Sequence, residues 1–125
     1  KRIEKAMKYN ELFNREAGLQ DKVFLPEIRN YNHHIFNQYI IRVKRRNNLR
    51  EYLQKEGIGI EIYYPVPLHL QKCFQYLGYK KGDFSISEKA AIETLALPMY
   101  PELAIAEQEY VVKKIVEFYK SATKK

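Results

Sequence analysis

Ile3, Ala6, Met7 and Phe13 recur at helical spacing among charged residues, and Gly18 follows as a stop. Residues 1–16 are therefore predicted to form an amphipathic helix with one face in water. Residues 35–43, Ile-Phe-Asn-Gln-Tyr-Ile-Ile-Arg-Val, are β-branched and aromatic with polar interruptions, the pattern of a strand in a sheet with one covered face. Asn47 or Asn48 is expected to cap a helix that carries Leu49, Tyr52 and Leu53 on one side and ends at Gly57. Ile58-Gly-Ile-Glu-Ile-Tyr-Tyr64 reads as a second strand. Pro65 and Pro67 stop it, because proline donates no ladder hydrogen bond and restricts its predecessor.

After the irregular turn Pro65-Val-Pro-Leu-His69, Leu70 to Leu77 reads as a short helix closed by Gly78, and Gly82-Asp83 as a turn. Ser85-Ile-Ser-Glu88 is a capping box, opening a helix with Ala91, Ile92 and Leu95 directed inward. Leu97-Pro-Met-Tyr-Pro101 is a short extended piece. The last helix, over 105–121, has Val111, Val112, Ile115, Phe118 and Tyr119 as its stripe, with lysines toward the end that the helix dipole favours. There is no internal repeat. This order of elements predicts an α+β fold, a small sheet covered mainly on one face by helices.

Composition narrows the function classes. With 125 residues, 46% apolar and 30% charged, the chain is expected to fold as one soluble domain. No run approaches the ~18 to 20 apolar residues of a membrane span, and no signal peptide is recognisable, so a cytoplasmic setting and no membrane partner are the expectation. One Cys excludes an internal disulfide and a thiolate metal cluster. The net charge of +7 is regional: residues 1–50 hold twelve basic and five acidic side chains, and the remainder is balanced. The chain starts with Lys1-Arg-Ile-Glu-Lys-Ala-Met7, inside a helical pattern and without an initiator Met, so it is expected to be a segment of a longer protein.

Several constellations carry candidate chemistry. Arg42, Lys44, Arg45, Arg46 and Arg50 could neutralise phosphates with Tyr39 stacking nearby, but a solvated strand edge whose aliphatic stems cover apolar surface is the preferred reading, and no nucleic-acid partner is expected. His33 and His34 are consecutive on extended chain and point to opposite faces, and His69 with Cys73 supplies only two ligands, so no metal site is expected. Cys73 reads as a small buried apolar residue. Lys81-Gly-Asp83 lacks the order of a phosphate loop, and Glu88 is better explained by capping than by acid–base work. Ile58 to His69 stands out, with Tyr63 and Tyr64 at a strand end and a Pro-x-Pro turn delivering His69 to a rigid corner. Strand alternation allows only one of the two tyrosines to face a given ligand. The residues alone leave open whether this corner holds a ligand or is an aromatic rim.

The same stretches resemble a known family. Asn37-Gln-Tyr-Ile-Ile-Arg-Val43, the run from Asn48 to Gln71 containing Tyr64-Pro-Val-Pro-Leu-His-Leu-Gln71, Leu77-Gly-Tyr-Lys-Lys-Gly-Asp-Phe84 and Leu95-Ala-Leu-Pro-Met-Tyr-Pro-Glu-Leu103 resemble the C-terminal part of the DegT/DnrJ/EryC1/StrS family. Its members are pyridoxal-phosphate-dependent aminotransferases of nucleotide-linked keto-sugars, with the aspartate aminotransferase fold (fold type I). The resemblance implies that residues 1–18 are the helix leading out of a large domain and 19–125 the C-terminal small domain. It implies an amino donor such as glutamate, a homodimeric parent, and a role in cell-surface polysaccharide or amino-sugar biosynthesis. Tyr63 and Tyr64 match residues that approach the sugar nucleotide, often across the dimer interface. His69 lies near the mouth, and Gln38 and Tyr39 match a strand facing the same region. None of the fifteen lysines sits in the family's Schiff-base motif, so no catalytic residue and no bound cofactor are expected in this chain alone. Ala104-Ile-Ala106 stands where the family usually caps its last helix with Thr or Ser, a departure bearing on local helix stability. The alternative is a non-enzymatic basic binding module.

Overall fold

The computed structural model describes residues 1–29 and 33–123. Helix α1 (Arg2–Asn14) leads through a 3-10 turn at Ala17–Leu19 into a two-residue strand β1 (Val23–Phe24). Strand β2 (Tyr39–Val43) runs into helix α2 (Arg46–Lys55). Two 3-10 turns, Leu68–Leu70 and Lys72–Leu77, precede helix α3 (Ser85–Glu93), which passes directly into strand β3 (Thr94–Leu97). Helix α4 (Ile105–Thr123) follows.

The sheet is antiparallel in the order β1-β2-β3, with Val23 opposite Val43 and Tyr39 opposite Leu97. Strand periodicity sends Tyr39, Ile41 and Val43 of β2 and Leu95 and Leu97 of β3 to one face, where they join Leu49 and Leu53 of α2 and Ile115 of α4 in the core. Helix α1 packs on α4. Several buried polar groups of this core find partners, although Gln108 Oε1 is left without one. Tyr9 donates to the Pro98 carbonyl at 2.8 Å, Gln108 Nε2 to the Lys5 carbonyl at 2.7 Å and Tyr119 to the Lys44 carbonyl at 2.6 Å. Loss of water around Tyr9, Tyr39 and Tyr119 pushes all three phenols well above their ordinary value.

Four of the expected helices and the strand ending at Val43 form, whereas the short helix expected over 70–77 is 3-10 at Lys72–Leu77, β1 is unexpected, and several boundaries move. The strand expected over 35–43 begins at Tyr39, because Phe36 takes a left-handed φ of 52° and turns its ring into the core. Arg45, also left-handed at φ 57°, occupies the N-cap of α2, so Asn47 and Asn48 lie inside the first turn. The strand expected over 58–64 is a single bridge between Glu61 and Ala96. Its sequence keeps the alternation, with Ile58 and Ile60 buried, but β3 is only four residues long and ends at Pro98, which brings no N–H to extend a ladder. Leu95, expected on α3, belongs to β3, and Ile92 is largely exposed rather than inward. Cys73, expected to be buried, is an exposed free thiol in a 3-10 turn that buries none of its residues. At α4, the missing hydroxyl cap is replaced from within: the Glu107 carboxylate accepts the Ala104 N–H at 3.0 Å and the Tyr100 hydroxyl at 3.0 Å.

Candidate functional site

The face of the sheet opposite the core carries Gln38 just before β2, Ile40 within it, and Thr94 and Ala96 of β3. Two adjoining clefts open there. One, of about 150 Å³, is lined by Asn37, Gln38, Glu61, Tyr63 and Met99 among others. The second, of about 230 Å³, has Tyr63, Tyr64, Pro67 and Leu68 on one wall and Ser87 and Ala90 of α3 on the other, with Ile40 and Thr94 in the lining. Tyr63 belongs to both.

Both tyrosines face this region, which departs from the expectation that only one could. Tyr63 is 40% exposed and Tyr64 65% exposed, and their rings meet edge to face with centroids 5.9 Å apart. The segment past Glu61 lies outside any ladder, so the two-residue pleat no longer dictates opposite sides. Two aromatic faces, two phenol hydroxyls and the Gln38 amide can stack on a ring and hydrogen-bond a hydroxyl-rich ligand.

Tyr39 lies elsewhere. It is fully buried on the core face, stacked on Tyr9 at 4.8 Å, and its hydroxyl donates to Asn10, so it presents no surface to a ligand in this chain. His69 is also withdrawn. It is buried and lines neither of these clefts but a neighbouring one of about 370 Å³ with Leu68, Phe84 and Ser87; its Nε2 lies 3.1 Å from Glu88 Oε2, and its ring meets Phe84 edge to face. Gln38, Tyr63 and Tyr64 are thus the expected site residues that the fold brings together at the surface. Sequence reasoning missed Ser87 and Thr94, which have no motif of their own.

The capping box expected at Ser85-Ile-Ser-Glu88 does not form, since Phe84 is the N-cap and Ser85 lies inside the helix, and Glu88 instead gathers the preceding turn. Its carboxylate accepts the Gly82 N–H at 2.8 and 2.9 Å and the Phe84 N–H at 3.2 Å, besides facing His69. The Gly82 N–H first, then the His69 and Phe84 contacts, hold this carboxyl below its ordinary value of 4.5. A carboxyl lowered on folding stabilises the fold above its ordinary value and ceases to as pH falls through the lower, folded one. Amide exchange at Gly82 and Phe84, corrected for intrinsic rates, is expected to stay slow at pH 4.5 and to accelerate only as pH falls through the lower, folded value of this carboxyl. Protection that persists unchanged in stronger acid would remove Glu88 from this role.

The arginine cluster is only partly solvated. Arg46 is buried, with Nη1 donating to the Thr94 carbonyl at 2.9 Å and Nε to Asn47 Oδ1 at 2.7 Å. Desolvation, and then Arg50 nearby, lower its affinity for its proton. His34 accepts the Phe36 N–H through Nδ1 at 2.9 Å and stacks on that ring. Among the described residues no group of three His, Cys, Asp or Glu could hold a metal ion, and no helix is long and apolar enough to cross a membrane. A larger cleft of about 610 Å³, between Gly57–Gly59 and α4, is mainly apolar, and its tyrosine hydroxyls are engaged: Tyr110 donates to the Glu56 carbonyl and Tyr100 to Glu107.

Comparison with known proteins gives a consistent result. Residues 1–116 match the DegT/DnrJ/EryC1/StrS aminotransferase family. The chain is 46% identical over 115 residues to a pleiotropic regulatory protein of Geobacillus stearothermophilus, covering 92% of the chain and 30% of that protein. It is 35% identical over 105 residues to dTDP-3-amino-3,4,6-trideoxy-alpha-D-glucose transaminase of Micromonospora megalomicea subsp. nigra, covering 81% of the chain and 28% of the enzyme. The crystal structure of a DegT DnrJ EryC1 StrS aminotransferase from Brucella abortus superposes with a TM-score of 0.79 at 36% identity, over 94% of this chain and 30% of that one. The chain therefore spans just under a third of the length of these proteins.

Proposed function

This chain belongs to the DegT/DnrJ/EryC1/StrS aminotransferase family and has the small-domain architecture of its fold type I enzymes; on that premise we propose that it is the C-terminal part of an enzyme that moves an amino group onto a nucleotide-linked keto-sugar. The observation that carries this reading is the convergence of Gln38, Tyr63 and Tyr64 on two adjoining clefts of the outer sheet face. Such a surface suits a sugar ring and its hydroxyls. The named transaminase relative supports the substrate class.

Among the described residues, no lysine lines either cleft and Glu61 is the one carboxylate there, which does not fit an anchoring site for pyridoxal phosphate at this face. When bound in the whole enzyme, that cofactor supplies the electron sink for nitrogen transfer, and its lysine would come from sequence outside this chain. What these residues contribute is binding and orientation: Tyr63 and Tyr64 hold the sugar nucleotide, Gln38 fixes its rotation, and the wall from Tyr63 to Leu68 excludes water. Tyr39 and His69 serve the site from behind, the first through β2 and the second through the turn. Glutamate as donor, a homodimeric and cytoplasmic enzyme, and a product used in amino-sugar or surface-polysaccharide synthesis complete the proposal.

Absorbance of the full-length protein with pyridoxal phosphate, followed by borohydride reduction and peptide mapping, tests it. Cofactor trapped on a lysine N-terminal to residue 1 is the expected result. A full-length protein that traps none would leave the family fold without its chemistry.

A further inference from the structure

The cleft of about 230 Å³ has two walls from distant parts of the chain, and one pair of side chains ties them together. Tyr63, Tyr64, Pro67 and Leu68 form one wall, and Ser87 and Ala90 of α3 the other. His69 directly follows the first wall, and Glu88 lies in α3 between the two residues of the second. These two residues meet at 3.1 Å, with side chains only 6% and 16% exposed. An ionised carboxylate only accepts hydrogen bonds, so the His69 Nε2 in this pair carries the proton. The same carboxylate takes the N–H groups of Gly82 and Phe84, and Phe84 packs its ring against His69 at 4.9 Å. The turn is stiff on its other side as well. Leu70 N–H donates to the Pro67 carbonyl at 2.9 Å, and Gln71 Nε2 to the Val66 carbonyl at 3.1 Å. The His69–Glu88 contact, with the Phe84 ring on His69 beside it, joins this stiff turn to the first turn of α3 and so acts on the distance between the walls.

We infer that Glu88 and His69 are a positioning pair that fixes the width of the Tyr63–Tyr64 cleft and thereby the binding of the keto-sugar, without touching the sugar or the reacting atoms. The inference rests on the sugar-transfer reading given above. It assigns to Glu88 a role beyond capping α3, and to His69 a role as a strap rather than a ligand contact. Because the pair acts on one substrate site, it has a signature that general destabilisation does not share.

The test uses the full-length holoenzyme with Glu88→Ala, His69→Ala, the double variant and the milder Glu88→Gln. Hydrogen bonds to a charged group are strong enough that each alanine variant should raise KM for the keto-sugar roughly tenfold, leaving KM for the amino donor in place. Glu88→Gln, which keeps one acceptor oxygen, should fall between wild type and Glu88→Ala. The double variant should be no worse than the worse single one, since both remove the same contact. Additive losses, or KM values for donor and sugar that rise together, would overturn the inference. A second readout does not depend on the substrate: amide exchange of Tyr63, Tyr64 and Val66 should accelerate in Glu88→Ala. If the parent proves to have no keto-sugar activity, the functional reading fails, and unchanged exchange in that segment would separately sink the strap.

Discussion

Tyr9→Ala is expected to remove about 3–5 kcal/mol of folding stability, enough to leave a domain of ordinary stability largely or wholly unfolded. Tyr9 is fully buried on α1, stacks on Tyr39 and on Phe13, and donates its hydroxyl to the Pro98 carbonyl just beyond β3. Truncation opens a ring-sized cavity between the first helix and the sheet and strips a buried carbonyl of its donor. Tyr9→Phe separates the two effects. It keeps the ring and loses only the hydrogen bond, so it should cost about 1–3 kcal/mol. Urea unfolding followed by circular dichroism measures both. Equal losses in the two variants would show that packing contributes little, against the position of the ring at the centre of the core.

Replacing Tyr63 and Tyr64 together by alanine in the full-length enzyme should lower kcat/KM for the keto-sugar by roughly 100-fold, the scale on which loss of substrate positioning acts. These two rings stand at 40% and 65% exposure in a protein that has a core to put aromatics in. Among the described residues neither side chain makes a hydrogen bond that folding would need. Steady-state kinetics varying each substrate in turn makes the measurement, and the amino-donor half-reaction should keep its KM. Stability should change little, which sets this outcome apart from that at Tyr9. Tyr63→Phe and Tyr64→Phe then distinguish hydroxyl from ring: a loss in the phenylalanine variants assigns a hydrogen bond to the sugar nucleotide. Unaltered keto-sugar kinetics in the double alanine variant would return both residues to the status of rim aromatics.

The helices were legible because their cues are local. Ile3, Ala6 and Phe13 mark α1, Gly57 follows α2, and the stripe from Val111 to Tyr119 marks α4, each within one amphipathic period or at one stop residue. Strand β1 was not legible, since two residues, Val23 and Phe24, contain no period. The strand expected at Ile58–Tyr64 has the right alternation, yet only Glu61 finds a partner, because ladder length depends on β3 and on Pro98 some forty residues away. Family resemblance rested on runs such as Tyr64-Pro-Val-Pro-Leu-His69, which identify the corner without saying how it is held.

The sequence by itself determined the long helices, the α+β class and the family, and marked the stretch proposed as the site, because hydrophobic period, turn residues and motif order are properties of neighbouring residues. Tertiary structure alone decided which of the marked side chains reach the surface. Tyr39 and Tyr63 are equally aromatic and equally marked in the chain, but the pleat of β2 turns Tyr39 into the core, and the unpaired segment after Glu61 leaves Tyr63 and Tyr64 on one cleft. His69 and Glu88 are nineteen residues apart, and only the fold brings them to 3.1 Å. The physical reason is common to all of these: exposure and long-range hydrogen bonding are fixed by packing between distant segments, which local pattern does not encode.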